Sequence, residues 1–323
     1  MNIEMIRAAA TRLEGHVRRT PLLNSPFIDE IAGRRVWVKA ECLQHTGSFK
    51  FRGGWAALSA LEPKVRQRGV IAFSSGNHAQ GVACAAKMHG VPSVIVMPSD
   101  SPALKIANTR AYGAEVVLYD RDSESREEIG ARISEERGLT LVKPFDEPQV
   151  IAGQGTCGLE IAEQAAAQGV TQAEVIVCCG GGGLTSGIAL ALEAEASGLR
   201  VRPAEPEGFD DVARSLRSGK IEQNARTSGN ICDAIISRQP GDLTFPIMQR
   251  LVGPGLVVTE DEVLQTMAHA FNRLKIVAEP GGAAALAAAL FRKEEIEGDH
   301  VIVTVSGGNV DAAMFARALA TLD

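Results

Sequence analysis

The stretch HTGSFKFRGG (45–54) places an amine where its chemistry would be altered. Lys50 lies between two phenylalanines, in a run that is otherwise rich in glycine and small residues. A lysine that is removed from water has a lowered pKa, and its neutral form can attack an aldehyde to form a Schiff base. The residue types alone leave open the alternative that Lys50 is an ordinary solvated surface charge.

A second stretch, Gly180–Gly183, lies between the apolar segment VIVCC (175–179) and the helix-like segment LTSGIALALEAEASG (184–198). Consecutive glycines let backbone N–H groups converge on an anion, and the positive end of a helix dipole adds to the attraction. We therefore expect a phosphate site. A dinucleotide-binding loop is also glycine-rich and has an acidic residue about twenty positions later, where Glu205 comes close. A nicotinamide-dependent oxidoreductase therefore remains an alternative.

A third stretch, SSGNH (74–78), follows an apolar segment and precedes a segment of helical spacing. Its simplest function is to cap that helix, because Ser and Asn side chains accept hydrogen bonds from the first backbone N–H groups. The same N–H groups could hold a substrate carboxylate. Asn77 would then supply an amide to a ring hydroxyl or to an oxyanion.

The elements that position these residues follow from two alternating series of apolar runs and helical segments. The first series extends from GVIAFSS (69–75) to LTLVKPF (139–145) and predicts four parallel strands. The second extends from IAGQGTCGLEIAEQAAAQG (151–169) to HVIVTVSGG (300–308). We predict two open parallel-sheet α/β domains. The large domain comprises residues 1–68 and 147–323, and the small domain, residues 69–146, is inserted in it.

The fold class also predicts where ligands bind. In open α/β sheets, ligands bind at the carboxyl ends of the strands. Four segments directly follow predicted strands: SSGNH, GGGG, AEPEGFDD (204–211) and SGGN (306–309). We expect the functional residues to lie in these segments.

Composition argues against several classes of partner. The 323 residues are 45 % hydrophobic and carry a net charge of −6, and the Lys and Arg residues form no basic stripe, so nucleic acid is not an expected partner. The longest small-apolar run, residues 281–291, is too short to cross a membrane, and the N-terminal segment lacks the apolar core of a signal peptide. Six cysteines without a C-x-x-C pair predict buried thiols. We expect a cytoplasmic protein.

Taken together, the motifs resemble those of the fold-type II pyridoxal-phosphate enzymes, in the branch of the serine/threonine dehydratases and serine racemases. The motifs, in order, are HTGSFKFRGG, SSGNHAQG, AGQGT, GGGGLTSG, EPGGA and SGGN. This resemblance implies a tryptophan synthase β-like α/β fold and pyridoxal 5'-phosphate as cofactor. It also implies a small amino-acid substrate and a homodimer or higher homo-oligomer.

The resemblance implies roles for individual residues at the cofactor. Lys50 matches the lysine that binds it, Asn77 the partner of the ring 3-hydroxyl, and Ser306 the partner of the ring nitrogen. A neutral hydroxyl leaves that nitrogen less protonated than a carboxylate would, which suits β-elimination. The full set of matching cofactor-binding residues is Lys50, Phe49, Asn77, Gly180, Gly181, Gly182, Gly183, Leu184 and Ser306.

Further matches concern the substrate. Ser74, Ser75, Gly76 and Asn77 match the loop that holds the substrate α-carboxylate. Ser75 also matches the second acid–base position of the family, which faces the lysine across the cofactor. With Lys50 it would form the catalytic pair and would permit racemisation beside elimination. Arg126 aligns with an arginine near the substrate in serine racemases, although an exposed helix charge is the simpler interpretation.

The segment AEPEGFDDVARSL (204–216) resembles the divalent-cation site of this branch. Glu205 and Asp211 would supply carboxylate oxygens and Phe209 its backbone carbonyl to Mg²⁺, Ca²⁺ or Mn²⁺, because hard cations prefer oxygen ligands. The alternative is a solvated acidic loop.

The expected activity is that of a lyase converting a β-hydroxy-α-amino acid of the L-threonine or L-serine type to a 2-keto acid and ammonia. A 3-hydroxyaspartate dehydratase and a serine racemase are alternatives within the branch. His45 and Arg238 are cations that could accept the second carboxylate of hydroxyaspartate.

Two places in the sequence depart from the pattern of the branch. Ala234 stands where the family has Gly, and Phe145 with Asp146 stands where serine racemases have Asn, which favours the dehydratases. The short segment after SGGNVD leads us to expect no C-terminal regulatory domain.

Overall fold

The protein is described here by a computed structural model that covers residues 1–74, 76–101, 103–120 and 123–322. The α-helices within these residues are α1 (Ile3–Leu13), α2 (Pro26–Ala32), α3 (Lys50–Ser59), α4 (Pro63–Arg68), α5 (Asn77–His89), α6 (Ala103–Ala111), α7 (Arg126–Arg137), α8 (Pro148–Ala167), α9 (Gly183–Glu195), α10 (Asp211–Ser218), α11 (Thr244–Leu251), α12 (Glu260–His269), α13 (Pro280–Phe291) and α14 (Ala312–Leu319). The strands are β1 (Leu22–Leu23), β2 (Arg35–Ala40), β3 (Val70–Phe73), β4 (Ser93–Pro98), β5 (Glu115–Tyr119), β6 (Thr140–Leu141), β7 (Ala173–Cys178), β8 (Leu199–Pro206), β9 (Leu256–Val258) and β10 (His300–Val305).

The strands form two sheets, as the alternating periodicities predict. The larger sheet has the order β1-β2-β10-β7-β8-β9 and is parallel except for β1, which pairs antiparallel with β2. The smaller sheet has the order β5-β4-β3-β6 and is parallel throughout. Its strands lie between Val70 and Leu141, within the predicted small domain, whose limits at 69 and 146 stay a prediction.

Strands β4 and β10, one from each sheet, are buried on both faces. All six residues of β4 and five of the six residues of β10 are buried. Such strands read as continuous apolar runs rather than as alternating ones because helices cover both sides of a parallel sheet. Helix α13 is buried from Pro280 to Leu290, and its small side chains allow it to pack against the larger sheet.

The packing of α8 on α9 depends on glycine. A Cβ on Gly187 would lie 2.5 Å from the carbonyl oxygen of Ile151, and one on Gly155 would lie 2.9 Å from the carbonyl oxygen of Gly187. Both distances are too short for a side chain, so the two helices meet backbone to backbone. Since α9 begins at the glycine run, this contact also fixes the position of that loop.

A buried charge network holds α3. The Arg52 guanidinium donates to Glu41 from Nε at 2.8 Å and to Glu160 from Nη1 at 2.7 Å. Lys39 donates to the same Glu160 at 2.5 Å. Glu41 follows β2 and Glu160 lies on α8, so the network ties the helix that begins at Lys50 to two other elements. Removing one partner of such a network would leave an uncompensated buried charge.

Two further sequence expectations concern the chain as a whole. All six cysteines are buried, which confirms the expected thiol environment. Among the described helices, none combines the length and the apolar character that crossing a bilayer requires.

Candidate active site

A cavity of about 600 Å³ lies at the carboxyl ends of β3 and β7. Its wall contains three segments that the sequence analysis singled out: Lys50 with Phe49, the SSGNH segment and the glycine run. Two other candidate residues, Ser75 and Ser306, are not part of the described wall. Ser75 lies outside the described residues, and Ser306 is buried without being part of the described cavity wall.

Lys50 is the first residue of α3 and directs its amine to the cavity. Nζ donates a hydrogen bond to the carbonyl oxygen of Pro144 at 2.7 Å and lies 5.1 Å from the ring centroid of Phe49. No carboxylate of the described residues pairs with it. Desolvation lowers the pKa of Lys50 to about 8. The amine therefore has a much larger neutral fraction near neutral pH than a surface lysine has.

The glycine run is required by its surroundings. A Cβ on Gly180 would lie 2.7 Å from the carbonyl oxygen of Ile235, and one on Gly181 would lie 2.4 Å from the ring of Phe145. Gly182 has a φ of +90°, a conformation that favours glycine. With no side chains in the way, the backbone and the start of α9 form an open cradle.

The cradle fits a phosphate group. The hydroxyl of Thr185, in the first turn of α9, is buried and has no hydrogen-bond partner among the described residues. A buried hydroxyl without a partner is costly, and a phosphate oxygen would satisfy it. The N-terminal dipole of α9 favours the same negative charge.

The SSGNH segment enters α5 at Asn77. The side-chain amide of Asn77 donates from Nδ2 to Glu279 Oε1 at 2.5 Å, and its Oδ1 accepts from Asn309 at 2.8 Å. These two bonds fix the orientation of the amide, and one N–H of Nδ2 is left for a ligand. Within the loop, the backbone N–H of Gly76 donates to the hydroxyl of Ser74 at 3.1 Å.

Glu279 and His78 are site residues that the sequence analysis missed. Glu279 lines the cavity and is 2 % exposed, and burial raises its pKa to about 8. Burial, with the nearby charge of Lys50, lowers the pKa of His78 to about 3, so its imidazole is neutral. The EPGGA motif contains Glu279, yet nothing in that motif tells that its carboxyl group reaches Asn77 from about 200 positions away in the chain.

Ser306 lies just beyond β10 and close to the cavity wall. Its carbonyl oxygen accepts a hydrogen bond from the backbone N–H of Phe49 at 3.1 Å. Its backbone N–H donates to the carbonyl oxygen of Gly282 at 3.2 Å. The structure thus brings Ser306 to the edge of the site.

Of the two cations that were considered for a second carboxylate, only one lies at the cavity. Arg238 is part of the wall, together with Lys105 and Arg126. His45 is not part of the described wall, and its ring centroid lies 4.8 Å from that of Phe51. Phe145 and Ala234 also line the cavity, so both positions that depart from the family pattern border the site.

The two candidate carboxylates, Glu205 at the end of β8 and Asp211 at the start of α10, are buried rather than solvated. Glu205 accepts the backbone N–H groups of Val212 and Ala213 at 2.9 and 2.7 Å. Asp211 Oδ1 accepts from Asn224 at 2.6 Å, whereas Oδ2 is buried without a partner. Burial raises the pKa of Glu205 well above its usual range, and the charge of Asp211 raises it further. The interpretation as a solvated acidic loop is therefore wrong.

These carboxylates do not by themselves form a metal-binding cluster. Among the described residues, no group of three or more His, Cys, Asp and Glu side chains could hold a metal ion. The predicted ligand set has two carboxylates, and its third member would be the backbone carbonyl of the buried Phe209.

A lysine amine of lowered pKa and an open glycine cradle lie at one cavity of a parallel α/β fold, an arrangement that suits a phosphorylated aldehyde. Residues 13–308 match the family model of the pyridoxal-phosphate dependent enzymes. The chain belongs to this family. Its membership favours pyridoxal phosphate over a dinucleotide as the ligand of the glycine run.

Individual relatives are similar over nearly the whole chain. An L-threo-3-hydroxyaspartate ammonia-lyase of Pseudomonas sp is 44 % identical over 96 % of each chain. The crystal structure of a threonine deaminase from T.th. is 43 % identical, covers 96 % of this chain and 99 % of its own, and has a TM-score of 0.91. The structure of maize serine racemase is 38 % identical, covers 99 and 97 %, and has a TM-score of 0.91.

Proposed function

We propose that the protein is a pyridoxal-phosphate-dependent ammonia-lyase that converts a β-hydroxy-α-amino acid to a 2-keto acid and ammonia. The observation that carries this proposal is the amine of Lys50, which faces the same cavity as the glycine run and the SSGNH segment. Pyridoxal phosphate, when bound, supplies an aldehyde for this amine and a ring that withdraws electrons from the substrate Cα.

The residues around the cavity have distinct roles in this proposal. The glycine run and Thr185 hold the phosphate, Phe49 lies against the ring, and Leu184 packs beside the loop. Asn77, oriented by Glu279, donates to the ring 3-hydroxyl. Ser306 is assigned to the ring nitrogen as a neutral partner.

Lys50 is also the base. With the cofactor bound, its free amine would take the α-proton of the substrate, and a pKa lowered to about 8 favours the neutral amine that this role needs. The backbone of Ser74, Ser75, Gly76 and Asn77 is assigned to the substrate α-carboxylate. The residue assigned to the opposite face is Ser75, so racemisation beside elimination depends on a residue outside the described ranges.

The main substrate candidates are L-threonine and L-serine. A second candidate is 3-hydroxyaspartate, which is favoured by the cation Arg238 in the cavity wall and by the activity named for the Pseudomonas relative. The two classes differ by a carboxylate at Cβ, so the charge of the cavity wall decides between them.

We also propose that Glu205, Asp211 and the carbonyl of Phe209 hold a divalent cation. Two buried carboxylates in proximity and the unpartnered Oδ2 of Asp211 support this proposal, since a cation would offset the repulsion between them. A homodimeric, cytoplasmic protein remains our expectation from the family resemblance.

The experiment that tests the proposed function is the release of 2-keto acid by the cofactor-loaded protein. We would offer L-serine, D-serine, L-threonine and the stereoisomers of 3-hydroxyaspartate, each with and without Mg²⁺. We expect turnover of at least one of them, and none after Lys50→Ala. The absence of keto acid from every substrate would contradict the assignment, even if the cofactor binds.

A further inference from the structure

We propose that Arg238, held in place by Asn224, is the residue that recognises the second carboxylate of a dicarboxylic β-hydroxy amino acid, the second substrate candidate. This inference rests on the proposed function, because it assigns the substrate class of the same cavity. The evidence is the charge pairing along the cavity wall and the hydrogen bonds that fix the loop containing Ser237 and Arg238.

The cations of the described cavity wall differ in whether an acid neutralises them. The Lys105 ammonium lies 2.7 Å from Asp233, and Nε of Arg126 lies 2.7 Å from Glu127. The amine of Lys50 is assigned to the cofactor. Arg238 contacts no carboxylate of the described residues. Among the residues that the structure describes, its guanidinium donates only to the neutral side-chain oxygen of Gln223, at 3.3 Å.

An unneutralised guanidinium at a cavity is suited to a carboxylate ligand. Its planar array of N–H donors matches the two carboxylate oxygens, and such charge-assisted bonds are stronger than neutral ones. The hydroxyl of the adjacent Ser237 also lines the cavity and is buried without a described partner. The wall therefore contains an unneutralised cation and, one residue before it in the chain, a hydroxyl without a described partner.

The backbone that carries these groups is fixed by Asn224. The backbone N–H of Asn224 donates to the carbonyl of Arg238 at 2.8 Å, and its side-chain Nδ2 donates to the carbonyl of Ser237 at 2.8 Å. The same Nδ2 donates to Asp211 at 2.6 Å, and Oδ1 accepts from Arg214. Asn224 is 7 % exposed, so these bonds are protected from water.

Asn224 thus fastens the loop to α10 at two consecutive carbonyls. A fixed backbone matters because ligand binding then does not have to order the segment that carries Arg238 as well as its side chain. We assign Asn224 as a positioning residue and Arg238 as the group that touches the substrate. Serine and threonine have no second carboxylate, so they gain nothing from this contact.

The test compares kcat/KM of the cofactor-loaded protein for L-threo-3-hydroxyaspartate and for L-serine. We expect Arg238→Gln to lower the value for hydroxyaspartate by about 10- to 100-fold, the size of a lost charge-assisted contact, and to change the value for serine by less than about threefold. Arg238→Lys should restore part of the discrimination. Asn224→Ala should also reduce the ratio of kcat/KM for hydroxyaspartate to kcat/KM for serine, but by a smaller factor. The change should be in KM more than in kcat.

The matched control is Arg217→Gln, which removes an exposed arginine of α10 that is not part of this described cavity wall. It should leave the ratio of the two values unchanged. An equal loss for both substrates after Arg238→Gln would overturn the proposal, as would an unchanged preference for hydroxyaspartate.

A binding measurement separates this inference from the proposed lyase activity. Calorimetric titration of the loaded protein with L-aspartate and with L-alanine compares ligands that differ by the second carboxylate and lack a β-hydroxyl. We expect Arg238→Gln to weaken aspartate binding about tenfold or more and to leave alanine binding unchanged. If the protein turns over no hydroxy amino acid, this difference still tests Arg238. Equal effects on the binding of both ligands would contradict the assignment of Arg238.

Discussion

The buried carboxyl group of Glu279 accepts a hydrogen bond from the side-chain amide of Asn77 at 2.5 Å, and no cation of the described residues pairs with it. Since Asn309 occupies the other side of the amide, Glu279 decides which way the N–H groups of Asn77 point. Two residues from the C-terminal part of the chain thereby position an amide that is assigned to the cofactor.

The contact predicts a graded response to substitution at Glu279. Glu279→Gln keeps an acceptor oxygen and should lower the affinity for pyridoxal phosphate less than about threefold. Glu279→Ala leaves the amide without its partner, a loss of about 1–2 kcal/mol, and should lower that affinity about tenfold. Cofactor affinity is measured by titration of the cofactor-free protein, followed at the visible band. Equal effects of both variants would show that the hydrogen bond is not responsible.

The raised pKa of Glu279 also predicts a pH-dependent stability of the cofactor-free protein. The folded protein retains this proton up to about pH 8, whereas the usual glutamate pKa is 4.5. Between these values the unfolded chain binds fewer protons, so this contribution to stability is present below pH 4.5 and is lost as the pH rises through 8. The free energy of unfolding of Glu279→Gln minus that of the wild type should therefore increase from pH 5 to pH 8 in urea titrations. Parallel pH profiles would contradict the assignment.

The lowered pKa of Lys50 predicts the pH range in which its amine reacts with the cofactor aldehyde. The neutral amine is the nucleophile, and its fraction should rise with a midpoint near pH 8 rather than near the usual 10.5. We expect the rate of cofactor loading, followed by stopped-flow absorbance, to show this midpoint. A blocked lysine in solution is the control and should titrate near its usual pKa. A midpoint near 10 for the protein would disprove the desolvation argument.

The glycine run predicts a steric effect that a second substitution relieves. A Cβ at Gly181 would overlap the Phe145 ring, so Gly181→Ala should displace the ring or the loop and weaken cofactor binding by about tenfold or more. Combining it with Phe145→Ala removes the overlap and should recover part of the affinity. If the double variant binds no better than Gly181→Ala, the lost affinity has another cause.

The buried network at α3 predicts a large loss of stability on Arg52→Met. The substitution leaves Glu41 and Glu160 without their main partner, and breaking such a network costs about 3–5 kcal/mol. Urea unfolding of the cofactor-free protein measures the loss. The matched control is Arg137→Met, because the Arg137–Glu115 pair is exposed and solvent screens it, so its loss should hardly change stability. Similar losses for the two variants would contradict the role of burial.

Much of the architecture is readable from local patterns. The helix predicted from residue 77 ends at His89, one residue before Gly90, and β8 spans the predicted 199–206. These predictions hold because strands buried on both faces have continuous apolar runs and helices end at glycine. The predicted strand LTLVKPF is the exception. It shortens to β6, Thr140–Leu141, which pairs with β3, and the following Pro144 has no N–H to extend the ladder.

The features of the candidate site also fall into two groups, those predicted from the local sequence and those that depend on packing. The amino-acid sequence by itself determined the order of the strands and helices along the chain, the glycine run at a strand end and the lysine among apolar neighbours, because each depends on residues that are close in the chain. Only the tertiary structure decided that Glu279 orients Asn77, that Asn224 fixes the loop of Arg238, and that Arg238 rather than His45 reaches the cavity. These relationships join residues that are brought together only when the chain packs, and burial in that packing gives Lys50 and Glu279 their altered pKa values.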